Sequence, residues 1–112
     1  MTEESPLHIR QAEGLRRLAD MIEQNPQIAG HLAYALDGIL SPVSERLDAR
    51  EQLSTFARVA KTTDAEVTIK NDRASCAVFA AFGPVRIEMY ASAAKMAGQP
   101  QPTPEYEPLA VD

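Results

Sequence analysis

Two turn dipeptides govern what residues 65–91 can become. Asn71-Asp72 and Gly83-Pro84 cut that stretch into three short runs, Ala65–Lys70, Ala74–Phe82 and Val85–Ala91. Either dipeptide suits a two-residue hairpin loop. Pairing outward from Asn71-Asp72 sets Ile69 against Ala74 and Val67 against Cys76. Pairing outward from Gly83-Pro84 sets Phe82 against Val85, Ala80 against Ile87 and Val78 against Met89. Read independently, the two loops collect Val67, Ile69, Cys76, Val78, Ala80, Phe82, Val85, Ile87 and Met89 on one face. Side chains alternate along a strand, so a one-residue slip would turn that whole set toward water. A three-stranded antiparallel meander is therefore expected.

Two helices are expected ahead of it. Over residues 7–24, Leu15, Leu18, Ala19 and Ile22 fall at i, i+3, i+4 and i+7 and make one apolar stripe. Ser5 is a candidate cap, Pro6 suits the first helical position, and Asn25-Pro26 ends the segment. Gly14 weakens the middle of this helix, which would make sense if another element approached closely there. The second helix spans 45–60, with Leu47, Leu53, Phe56, Ala57 and Ala60 inward. Residues 28–40 fit either period. Leu32, Tyr34 and Leu36 alternate as in a strand, whereas Ile28, Leu32, Leu36 and Ile39 would line a helix. Asp37-Gly38 and Ser41-Pro42 read as turns on either account. After Ala91 a short helical turn ends at Gly98, and QPQPTPEYEPLAVD, Pro-rich and acidic, is expected to stay flexible. The expected organisation is one α+β domain over residues 1–98 and a disordered tail over 99–112.

At AEGLRRLADMIEQNPQI, DAREQLSTFARVAKT and FGPVRIEMYAS the chain resembles a group of short uncharacterised proteins from actinobacteria and their phages. In that group a LADLI-like helix ends in HP or NP, an AR-containing helix follows, and an FGPV-like turn closes the sheet. The likeness covers roughly residues 12–97. It implies a strand near residues 30–37 and an α-β-α-β-β-β order. That order is a small antiparallel sheet, its C-terminal meander packed on two helices. The resemblance implies no activity, and it suggests a phage or prophage origin.

The chemistry-bearing residues are sparse. A chain of 112 residues with 45% apolar and 24% charged residues can build its own core without a metal or disulfide. His8 and His31 are the only imidazoles, and Cys76 is the only thiol, expected in the core. No spacing suits zinc, a nucleophile elbow or a phosphate loop. No catalytic residue, metal, cofactor or small-molecule substrate is therefore expected. The acidic start MTEESPLHIR is unlike a secretion signal, and no apolar run could span a membrane, so a cytoplasmic protein is expected.

The face of the meander opposite the apolar set is more telling. It should carry Thr68, Lys70, Ser75, Ala77, Phe79, Ala81, Arg86, Glu88 and Tyr90, with Phe79 against Glu88 and Ala77 against Tyr90. Aromatics among alanines on a wet face need an explanation. Either another segment covers them or they bind a partner, a second copy or a host protein. On the partner reading the site is Phe79, Arg86, Glu88, Tyr90 and Lys70. Arg10, Arg16 and Arg17 would add a basic face on the first helix. The alternative is single-stranded nucleic acid stacked on Phe79 and Tyr90, with Lys70, Arg73 and Arg86 on phosphate. A net charge of −5 opposes it.

Overall fold

The computed structural model describes residues 5–98 and 106–110. The chain forms two compact units, Met1–Tyr34 and Ala35–Asp112.

In the N-terminal unit, helix α1 spans Leu7–Gln24 as the apolar periodicity requires. Pro6 stands one place earlier than expected, at the cap, and its carbonyl accepts from the amides of Ile9 and Arg10, both at 3.1 Å. No side chain caps the helix, so Ser5 does not play that part. At the other end Asn25 folds its Nδ2 back to the Met21 carbonyl at 2.9 Å. A 3-10 turn, Pro26–Ile28, then leads into helix α2, Ala29–Leu36, which runs to the start of the second unit. The strand implied near 30–37 is thus a helix. Leu32 and Leu36 are its half-buried positions, Ile28 of the preceding turn is half-buried four residues earlier, and that four-residue spacing is the helical period, with Tyr34 pointing out at 93% exposure. No residue of α1 or α2 is buried. The space around Gly14 is open, so no close approach explains it.

The second unit is built on a four-stranded sheet in the order β1-β4-β3-β2. Its strands are β1, Ile39–Pro42; β2, Glu66–Asn71; β3, Ser75–Phe82; and β4, Val85–Ser92. The fold is α+β, but the sheet is mixed, because β1 lies parallel to β4. Ser41-Pro42, expected as a turn, closes β1; an edge strand tolerates a proline, which has no N–H to offer. Helix α3, Ala49–Lys61, starts later than residue 45 because Asp48 caps it, its carboxylate accepting from the Glu51 amide at 2.8 Å. Leu47 therefore precedes the helix and is 64% exposed instead of facing the core.

The hairpin after β2 corrects the expected register. Asn71 pairs with Cys76, Ile69 with Val78 and Val67 with Ala80. The loop is Asp72–Ser75, in which the Asp72 Oδ1 accepts from the amides of Ala74 (3.0 Å) and Ser75 (2.9 Å). Every partner has moved by four residues. An even shift keeps each side chain on its expected face. The second hairpin has the expected register throughout, from Phe82–Val85 to Ala77–Tyr90. Gly83 at φ +61° before Pro84, whose ring holds φ negative, matches a type II′ turn.

One face of the sheet packs against α3 and the short helix α4, Ala93–Ala97, which is capped by Ser92 and ends at Gly98 with φ +85°. Leu53 and Ala57 from α3 meet Cys76, Val78 and Ala91 from the sheet and Met96 from α4, all at or below 5% exposure. Leu109 belongs to the same core at 5%. The Pro-rich stretch, expected to be flexible, is therefore held at Tyr106–Ala110; residues 99–105 and 111–112 lie outside the described residues. No helix among the described residues is long and apolar enough to cross a membrane.

Candidate interaction surfaces

Strand register sets the outer face of the sheet. Reading across it, Leu40, Glu88, Phe79 and Thr68 form one row, and Pro42, Tyr90, Ala77 and Lys70 form the next. Phe79, Glu88 and Tyr90 come together as expected and are half-buried, Ala77 is buried, and Lys70 is exposed at the far strand. Neighbouring strands lie about 4.8 Å apart, so Lys70 stands roughly 10 Å from Tyr90. Leu40, which the sequence reading did not place here, is 63% exposed. The available signal was weak: an apolar pair, Ile39-Leu40, between two turn dipeptides.

Arg86 lies over the Phe79 ring, 5.6 Å from its centroid. Its Nε donates to the Asp37 carbonyl at 3.1 Å and pairs with the Asp37 carboxylate at 3.8 Å. The guanidinium is thereby held over the aromatic, a favourable cation–π arrangement. It is already matched to an acid, which weakens the phosphate-binding role.

The arginines of α1 sit in the other unit. At 100° per residue, Arg10 and Arg17 share one edge of the helix and Arg16 lies about 100° away from Arg17. They do not make one basic face. Arg16 lies to one side of the apolar stripe, and Arg10 and Arg17 lie toward the back of the helix. Arg16 approaches Glu13 at 4.0 Å and Arg10 donates to the Ser5 carbonyl.

A third surface holds the C-terminal segment. The Asn71 amide brackets Leu109, Oδ1 accepting from its N–H at 2.8 Å and Nδ2 donating to its carbonyl at 3.2 Å. The Tyr106 hydroxyl lies 2.8 Å from the Asp72 carbonyl and 2.7 Å from that of Ser75. Arg50 donates to the carbonyls of Glu107 and Pro108. Beneath the segment the Cys76 thiol donates to Asn71 Oδ1 at 3.3 Å, and burial pushes its pKa up. Burial also raises the Tyr106 hydroxyl, while backbone amides of Ser75 and Ala74 hold Asp72 below its ordinary value. A thiol shifted upward is a poor nucleophile. Sequence reasoning passed over Asn71, Tyr106 and Leu109. The signal was a Tyr and a Leu three residues apart in an otherwise polar tail.

Among the described residues, no three His, Cys, Asp or Glu side chains gather as a metal site. Compared with known protein families, curated proteins and solved structures, the chain matches none.

Proposed function

We propose that the chain is a non-enzymatic interaction protein that binds a second copy of itself or a host protein through the outer face of its sheet. Exposed Leu40 beside Glu88 and the Arg86-capped Phe79 carries this reading. Apolar side chains ringed by charge are the usual composition of an interface core and rim. The resemblance to actinobacterial and phage proteins is the support for a phage or prophage origin. The alternative, a nucleic-acid accessory protein, has less support, since Arg86 is paired with Asp37.

The test is light scattering over a dilution series, together with capture from host lysate, for wild type and Phe79→Asp. Binding that Phe79→Asp abolishes supports the proposal. Binding that survives Phe79→Asp and Leu40→Asp refutes it. Retention on short DNA or RNA that fades as salt rises would favour the alternative.

A further inference from the structure

The segment 106–110 lies on the second unit as a bound peptide would. It forms neither helix nor strand, so its main-chain groups need outside partners. Side chains of the unit supply them. Asn71 takes both the N–H and the carbonyl of Leu109, as a neighbouring strand would, and Arg50 donates to the carbonyls of Glu107 and Pro108. Contacts of this kind grip an extended chain whatever its side chains.

Selection falls on two positions three residues apart. The Tyr106 hydroxyl reaches the carbonyls of Asp72 and Ser75, and a phenyl ring has no proton to offer them. Leu109 fills a hollow beside Cys76 at 5% exposure. Between these anchors Glu107 and Pro108 are exposed and are held by their carbonyls. A proline fits there, because its ring keeps the chain extended and its carbonyl is the group in use.

Main-chain capture beside side-chain anchors is how protein domains read short linear segments of other proteins. We infer that this cleft is a peptide-binding site with segment 106–110 as its resident occupant. In exchange it takes an extended segment of a different protein that carries Tyr and Leu three residues apart. The resident belongs to the same chain and competes at an effective concentration on the order of millimolar. A second copy offers the same contacts without that advantage, so it does not displace the resident. A different protein that adds contacts of its own does. The outer sheet face takes no part, so this inference stands apart from the function proposed above.

The experiment is fluorescence anisotropy of a labelled peptide with the sequence of residues 105–111, titrated with the full chain. Wild type should bind it weakly, near the millimolar level its resident sets. Leu109→Ala loosens the resident and should bind about tenfold more tightly. Tyr106→Phe keeps the ring and the core intact and should bind about threefold more tightly. Adding Asn71→Ala, at an exposed position, should remove the gain in either background. The peptide should also slow the reaction of Cys76 with Ellman's reagent in Leu109→Ala. Equal binding by wild type, Leu109→Ala and Tyr106→Phe overturns the inference, and so does a peptide that binds none of them. A gain that survives Asn71→Ala overturns it, as does equal binding of a peptide with alanine in place of its leucine. Concentration-dependent dimers that the peptide disperses would seat a second copy's segment in the cleft and overturn the choice of partner.

Discussion

Leu109→Ala is the most informative single change, because it tests whether a five-residue segment far along the chain is part of the core. Leu109 is 5% exposed and lies in the cluster with Cys76, Val78 and Leu53. Truncating a buried leucine removes about 2–3 kcal/mol, and the upper part of the usual range applies only where the site cannot relax. The rest of the attachment is modest. Each hydrogen bond from Asn71 or Tyr106 is worth about 1 kcal/mol net. Against them stands the cost of ordering the segment, about 1–2 kcal/mol per residue. The docked and released states are therefore closely balanced, and losing about 2 kcal/mol shifts the balance roughly thirtyfold at 1.36 kcal/mol per decade. Cys76 reports the release, since it is fully buried with Leu109 beside it. The reaction of Ellman's reagent with native protein should accelerate at least tenfold in Leu109→Ala. Amide exchange at Leu109 should accelerate in parallel in the wild type compared with Leu53. If Leu109→Ala reacts at the wild-type rate while its melting temperature is unchanged, the segment does not shield the thiol and the reasoning fails.

Further expectations concern other links in the chain of causes. Asp48→Ala removes the side-chain cap of α3 and should cost about 1 kcal/mol in urea unfolding, with Asp48→Asn recovering most of it. Gly14→Ala meets open space in the middle of a helix and should raise helicity, stabilising α1 by about 0.5–1 kcal/mol as read by circular dichroism. Gly83→Ala forces a side chain onto φ +61° and should destabilise the second hairpin by about 1 kcal/mol in the same urea assay. Cys76 and Tyr106 both hold their protons more tightly in the fold than free, so their contribution is complete below about pH 9 and disappears as pH rises through the folded values. Urea midpoints should fall between pH 9 and 11, and fall less in Cys76→Ala/Tyr106→Phe. Asp72 has the opposite sign: its contribution is present above about pH 4 and is lost on acidification through the lowered value.

The parts legible in the sequence were those where two local signals agreed. The faces of the meander were readable because alternation and the Gly83-Pro84 turn pointed the same way. The first hairpin shows how a wrong loop can still give the right face. Asn71-Asp72 looks like a two-residue corner, but the Asp72 carboxylate captures two amides ahead of it and lengthens the loop to four residues. Residues 28–40 were undecidable because leucines four apart also alternate with small residues. The strand there is four residues long, parallel, and ends in a proline, so it depends on β4 more than on any pattern of its own. The stripe of α1 was plain, but a stripe does not say what covers it. Tyr106 and Leu109 were hidden by composition: an average over a Pro-rich tail dilutes two anchoring side chains.

The borders of the sheet bear on whether another strand could add to it. β1 is brief and finishes at Pro42, which has no amide to donate, and β2 carries Glu66 and Lys70 along its free margin. Neither border offers a long, uncharged backbone template onto which another strand could zip. Fibre-like growth by strand addition is therefore discouraged.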